Sequence, residues 1–519
     1  MPLSRTAPLR QALAGTLPRR PFGVRFWDGT EVPATEPGSP TITLTNPRAL
    51  AHVLRAPGEL GLGRAYVSGM IEVDDLDSAL RMFDTFQAPP LSLAERAGLA
   101  VALIQACGLV VPPPPPEAEL RLRGARHTIA RDRRAVRHHY DVGNEFFALF
   151  LDRSMTYSCA YFSGGAQTLD EAQEAKLELV CRKLGLREGE RVLDVGCGWG
   201  SFVIHAALRH GVTAVGITLS EEQQRLARER AREAGVSDRV EFRVADYREI
   251  SDGPFDAIAS IGMVEHVGEE QIDLYARRLH GLLKPSGRLL NHGIAKLQDL
   301  DTPDEGPFSE RFVFPDGVPL PLSRVISALE RADLVTKHVE GLAADYGRTL
   351  SYWIERFEAR WDDAVRLAGI ERARIWRLYL RAGRQGFETG WCSVYQVLAH
   401  RGGDALHTGL SIGVSSGPVA TPGRPLAQQT WRERHEQDRS RDVERKRRRA
   451  PLGRGAPPAA GPRAARPPRV DRHARGLRYV QLWSLHDSHG RASGEVMHRA
   501  RCPGGWRSPD NDRGPGVRE

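Results

Sequence analysis

Between residues 190 and 295, short apolar runs alternate with stretches of helical spacing. Arg191 to Val195, Thr213 to Leu219, Val240 to Ala245, Phe255 to Met263 and Arg288 to Asn291 each read as a buried strand, and Gln271 to Leu283 as a helix between two of them. Strands that alternate with helices predict a doubly wound α/β sheet. A helix over Leu169 to Leu184 precedes the first strand, with Glu171, Gln173 and Lys176 expected outside and Leu177, Val180 and Leu184 inside. Beyond the fifth strand, residues 300–345 read as a loop-rich insertion carrying Phe308, Phe312, Phe314 and Pro315. It is either a roof over an apolar tunnel or a packed lid. A helical run is expected from Asp345 to about His400.

Residues 1–125 form a smaller α+β unit. Arg25 to Thr30 reads as a strand closed by the Asp28-Gly29 turn, and Thr41 to Leu44 as another strand. Pro47 to Ala56 reads as a helix and Gly61 to Gly69 as a glycine-punctuated loop. Leu91 to Val111 is a mostly apolar helix, either a core or interdomain element or a surface for lipid. Pro112 to Pro116 is a stiff spacer, and Arg121 to Arg137 a basic linker that is solvated or faces anionic headgroups. Residues 126–400 make the main domain. From 401 to 519 Gly, Pro, Ser and Arg dominate, with the run Arg445 to Arg449; this reads as a disordered tail or as a shifted reading frame.

Composition changes this picture in three ways. The net charge of +8 belongs to the tail, whose 24 Lys and Arg face 12 Asp and Glu; the other 400 residues are net negative, so no nucleic-acid partner is expected. Six scattered cysteines without a C-x-x-C pair suggest neither a zinc site nor a disulfide framework, in keeping with the cytoplasm. No apolar run reaches the roughly 18 residues of a membrane span, and Met1 to Arg20 has no secretory apolar core.

The candidate chemistry gathers after the first strand. Gly196, Gly198 and Gly200 punctuate a turn that leads into a helix, a design that brings free N–H groups close to a ligand. The second strand ends in Thr218-Leu219-Ser220 and Gln223, without the carboxylate a nicotinamide-binding fold places on the ribose. The third ends in Asp246-Tyr247, an acid and a flat ring suited to an adenine. These features favour S-adenosylmethionine over a dinucleotide. Glu265 and His266 follow the fourth strand and His292 the fifth, on the edge where such sheets bind ligands.

Taken together, His139 to Asn144, Tyr157-Ser158-Cys159, Val192 to Gly200, Gly216 to Ser220, Gly262 to Gly268 and Asp345-Tyr346 resemble the cyclopropane-fatty-acyl-phospholipid synthase family and its mycolic-acid relatives, over residues 20–400. The resemblance implies a class I methyltransferase fold. It also implies methylene transfer from S-adenosylmethionine to a cis double bond of a phospholipid acyl chain, at the inner face of the membrane. Implied cofactor residues are Tyr157, Ser158, Val195, Gly196, Cys197, Gly198, Gly200, Thr218, Leu219, Ser220, Gln223, Asp246 and Tyr247. An implied bicarbonate, the general base, is held by Glu265, His292, Tyr346 and the main chains of Cys159 and Ile294, with His266 beside them as a hydrogen-bonder or proton shuttle. Cys181 and Cys197 are expected to be packing residues, and a homodimer is compatible with the family. One departure is Gly383, where relatives often carry a cysteine. A methyl-branching relative and an inactive lipid-binding relative are the alternatives. An RNA methyltransferase is suggested by the basic tail alone.

Overall fold

The computed structural model describes residues 5–108, 113–122, 124–140, 142–296 and 307–402. The expected tail lies outside the described residues from 403 onward, as do Asp141 of the motif above and the 300–306 part of the insertion.

The first unit runs α1 (Ala7–Thr16), β1 (Gly23–Arg25), β2 (Glu31–Val32), β3 (Thr41–Leu44), α2 (Arg48–Arg55), α3 (Glu59–Val67), β4 (Ile71–Val73), α4 (Leu76–Thr85) and α5 (Leu93–Cys107). Its sheet has the order β2-β1-β3-β4, with β1 and β3 parallel. The expected glycine loop at 61–69 is a helix instead. Its glycines serve close packing: a Cβ on Gly61 would lie 2.2 Å from Ala56 O, and one on Gly63 2.3 Å from the Phe308 ring. The apolar helix α5 starts at a reciprocal Ser92–Glu95 cap. It buries Ala102 and Ala106 in the core shared with Leu9 of α1, and leaves Leu93, Val101 and Ile104 exposed.

The second unit continues with α6 (Ile129–Tyr140), α7 (Asn144–Ala148), α8 (Leu169–Leu184), β5 (Arg191–Val195), α9 (Ser201–His210), β6 (Thr213–Thr218), α10 (Glu221–Glu233), β7 (Val240–Val244), β8 (Phe255–Ile261), α11 (Ile272–Leu282) and β9 (Leu283–Lys296). It closes with α12 (Pro307–Phe312), β10 (Leu320–Pro321), α13 (Leu322–Arg331), β11 (Leu334–Gly341), α14 (Ala343–Ala359), α15 (Trp361–Thr389) and β12 (Cys392–Arg401). The sheet order is β11-β12-β9-β8-β5-β6-β7, with β10 against β9. Strands β5 to β9 are mutually parallel and β12 is antiparallel to both neighbours. The strand order reverses between β5 and β8, where open α/β sheets bind ligands.

Three expectations change here. The basic segment is helical from 129, with Arg131 held against the buried Asp316 (2.5 and 2.7 Å) and the partly exposed Arg133 paired with Glu249 (3.1 Å). The insertion is mostly regular from 307 to 341, with Phe308 and Phe312 packed against Val67 and Ile375. The terminal helical run stops at Gly390 (φ 77°), and Cys392 to Arg401 is a strand, because its Val394, Val397 and Leu398 are buried in the middle of the sheet.

The units meet along α15. Arg374 donates to Tyr66 O (3.1 Å) and pairs with Glu72, Arg384 reaches Asp77 (2.7 Å), and Gln385 reaches Asp84 (2.5 Å). Beneath α14 and α15 lies an aromatic core of Phe146, Phe147, Phe150, Trp353, Phe357 and Trp376. Because Gly61 faces backbone rather than mobile side chains, Gly61→Ala is expected to destabilise the first unit by about 1–3 kcal/mol. Hydrogen exchange should show the loss confined to residues 23–82.

Candidate active site

Strand β5 delivers the chain into a turn where Gly196, Gly198 and Gly200 all hold positive φ (81°, 52° and 80°). A Cβ on Gly196 would strike Met263 Cγ at 2.5 Å, whereas one on Gly198 would meet nothing within 4 Å, so the turn opens there onto a cleft. Helix α9 follows with no side chain capping its first N–H groups.

The cleft brings most of the expected cofactor residues together. Tyr157 and Ser158 line one wall, Val195, Gly196, Cys197 and Gly198 the turn, and Thr218, Leu219 and Gln223 the end of β6. Asp246, Tyr247 and His266 complete it. Gly200 and Ser220 are not on the wall; they cap α9 and α10, Ser220 Oγ accepting from Gln223 N (3.3 Å). Asp246 is held by Arg248 through Nε and Nη2 (both 2.7 Å), and Tyr247 stands edge-on to Tyr275 with centroids 5.5 Å apart. Cys197 is a packing residue as well as a lining one, its sulfur 2.9 Å from where a Cβ on Gly216 would stand.

S-adenosylmethionine fits this donor set. The cleft offers a glycine cradle at Gly198, and one polar atom of its lining residues, Asp194 Oδ1, is buried without a partner.

Lys176 and Gln173 are the residues the sequence reading misplaced. Both are fully buried, not outside α8. Gln173 Nε2 donates to Ser158 O (2.8 Å) and Thr156 O (3.3 Å), and Lys176 Nζ donates to Ser158 Oγ (2.8 Å). Lys176 also lines the cleft beside Asp194. Burial pushes its pKa down to about 8 and that of Asp194 up to about 7, each partly offset by nearby opposite charge. The signal was the spacing. Leu169, Gln173, Lys176 and Val180 share one helical stripe, and that stripe is the buried one.

Of the residues implied for catalysis, His266 lines the cleft, while Glu265, His292, Tyr346, Cys159 and Ile294 are not on its wall. Glu265 Oε1 accepts from Ile294 N (2.6 Å), while Oε2 is buried without a partner. The Ile294 N–H is therefore committed to Glu265. Burial raises the Glu265 carboxyl to about 7. Burial raises the Tyr346 phenol on α14 well above its ordinary value, with smaller contributions from Tyr379, Cys159 and Glu265, and the ring packs on Phe387 at 4.5 Å between centroids. His292 is held by Gln396 at 3.1 Å on Nδ1, with Nε2 buried and unpartnered. The Cys159 thiol donates to Ala160 O (3.2 Å), and burial pushes it well up, which leaves it unreactive. His266 is lowered to about 4 by burial and then by His127, and its ring meets Phe314 edge-on at 5.7 Å. Phe314 also stacks on His139 at 4.3 Å, so of the insertion's phenylalanines this is the one that reaches the site. Gly383 faces Leu350 with room for a side chain, a Cβ there standing 3.7 Å from Leu350 Cδ1.

A parallel sheet with an antiparallel strand inserted near one edge, and a glycine turn opening on a cleft at its switch point, define an S-adenosylmethionine-dependent methyltransferase. Residues 127–397 match the mycolic acid cyclopropane synthetase family, and the chain belongs to that family. It is 37% identical to a probable fatty acid methyltransferase of Mycobacterium tuberculosis, over 70% of this chain and 88% of that one. The same identity and coverages hold for the cyclopropane-fatty-acyl-phospholipid synthase of Escherichia coli. The structure of a Mycobacterium tuberculosis cyclopropane synthase is similar at a TM-score of 0.50 with 31% identity, over 52% of this chain and 98% of that one. The family's chemistry is S-adenosylmethionine-dependent cyclopropane formation or methyl transfer on fatty acyl chains.

Two outcomes follow from this geometry. Lys176→Met removes the donor to Ser158 and the cation beside Asp194; calorimetry should show S-adenosylmethionine affinity falling about tenfold, the effect of roughly one charge-assisted hydrogen bond. Glu265 holds its proton up to about pH 7 in the fold, against an ordinary 4.5 when unfolded. The native state thus binds more protons between those values, and stability falls as pH rises through them. Glu265→Gln should flatten that fall, read by urea unfolding from pH 4 to pH 8.

Proposed function

We propose that this chain moves a CH2 from S-adenosylmethionine onto the cis double bond of unsaturated acyl chains in membrane phospholipids, closing a cyclopropane ring with bicarbonate as general base. The observation that carries this reading is that Glu265 Oε2 and His292 Nε2, near the ends of neighbouring strands β8 and β9, are each buried without a partner.

An alkene is a weak nucleophile, so the reacting atoms must be held in line; positioning of that kind contributes ~7–11 kcal/mol. S-adenosylmethionine, when bound, supplies an electrophilic methyl group. Tyr157 and Ser158, fixed from behind by Gln173 and Lys176, and the turn at Gly198 would orient it. The alkene pair forms the new C–C bond as the methyl leaves sulfur, and a cationic centre remains on the neighbouring chain carbon. One C–H bond of the new methyl then gives its pair to the ring and its proton to a base. A carboxylate placed directly against that cation would be alkylated by it. Glu265, near half-protonated at neutral pH, would instead hold a small bicarbonate by a hydrogen bond, and that anion would supply the base. The neutral phenol of Tyr346 assists, and Ile294 acts by anchoring Glu265 through its N–H. The aromatic walls of Phe147, Tyr157 and Trp199 exclude the water that would trap the cation as an alcohol.

Phospholipid as substrate, and contact with the inner face of the membrane, are supported by the exposed Leu93, Val101 and Ile104 on α5. No helix among the described residues is long and apolar enough to cross a membrane. A second reading, methyl branching without ring closure, is favoured by the relatives named as fatty acid methyltransferases.

The test is incubation with isotope-labelled S-adenosylmethionine and unsaturated phospholipid vesicles, followed by lipid mass spectrometry and proton NMR. The expected product carries one added CH2 as a ring; a saturated methyl branch would instead carry two further hydrogens and support the second reading. Glu265→Ala is expected to keep cofactor binding and lose at least 10²-fold in turnover, the scale of general-base assistance.

A further inference from the structure

Three side chains stand in a row on adjacent strands: Glu340 on β11, Gln396 on β12 and His292 on β9. Glu340 is the register partner of Gln396, and Gln396 of His292. Lys183, in the last turn of α8, reaches this row from above. Its Nζ donates to Gln396 Oε1 (2.7 Å) and to Glu340 Oε2.

That contact settles which way the amide points. An ammonium group has three donors and no acceptor, so it must face the oxygen of Gln396. The NH2 of Gln396 is thereby turned to His292 and lies 3.1 Å from Nδ1. An amide NH2 only donates, so Nδ1 must accept. We infer that Lys183 and Gln396 set the tautomer of His292, placing its one proton on Nε2, so that His292 offers the active site a donor and not a base.

Other observations agree. Burial first, then the charges of Lys176 and Lys183, hold the ring well below its ordinary pKa, so it carries a single proton. Nε2 is buried and has no protein partner. A buried N–H left without an acceptor is unfavourable, so this atom suits an acceptor that arrives with the reaction. The identification of that acceptor as bicarbonate rests on the function proposed above; the tautomer does not. In this arrangement His292 orients the anion and leaves the anion's own oxygen to take the proton. Lys183 and Gln396 are positioning residues, remote from the reacting carbon.

The experiment is 15N NMR of the full chain labelled at histidine, with the His292 signals assigned by their loss in His292→Gln. The expected pattern is a protonated Nε2 and a bare Nδ1 from pH 6 to pH 8. In Gln396→Glu the new carboxylate should draw the proton to Nδ1, turn a lone pair toward the anion, and raise the half-activating bicarbonate concentration at least tenfold. Lys183→Met should give mixed tautomers even where Gln396→Glu fails to fold, and Lys183→Arg should restore the single form. A protonated Nδ1 in the unsubstituted chain, or no change in Lys183→Met, overturns the inference. The expected tautomer with no response of signals or activity to bicarbonate would instead support the inference and overturn the anion in the proposed mechanism.

Discussion

The hydrogen bond from Ile294 N–H to Glu265 Oε1 governs the rest of the site. It joins the end of β9 to the short turn after β8, two neighbours in the sheet, and it leaves one carboxyl oxygen unused in a dry place. A carboxyl group in that position resists ionisation, so it behaves as a donor at neutral pH as readily as an acceptor. Tyr346 arrives from α14, His292 from the same strand as Ile294, and aromatic rings from α7 and α15 close the surroundings.

Much of this was legible in the order of residues, and the misses have physical causes. Strands β5, β6 and β8 are apolar runs bounded by turn residues, so periodicity found them. The turn at Gly196 and Gly198 was readable because positive φ and close approach leave few alternatives to glycine. Helix α3 was misread because Gly61 and Gly63 signal turns, while here they admit a neighbouring carbonyl and a ring. Strand β12 was misread because it continues a long helical stretch, and its strand character comes from the two partners that enclose it.

The polar residues behind the site were the least legible. Lys176 looks like a surface lysine of an ordinary amphipathic helix until Ser158 and Asp194 are placed around it. The row of Lys183, Gln396 and His292 joins residues more than a hundred positions apart, with no local spacing to announce it. Motifs point to the residues at the strand ends. Their polar partners sit one layer further out, where only the fold brings them together.

The placement of β12 bears on how the chain is made. Among the described residues it is synthesised after every other strand of its sheet, yet it belongs between β9 and β11. While the ribosome works through α14 and α15, the nascent domain therefore carries two raw edges, each an open ladder of amides and carbonyls able to recruit a strand from another molecule. The catalytic sheet cannot seal from one side outward during translation. It closes by inserting its latest strand into the gap between two earlier ones, and until then both of those edges are open to mispairing.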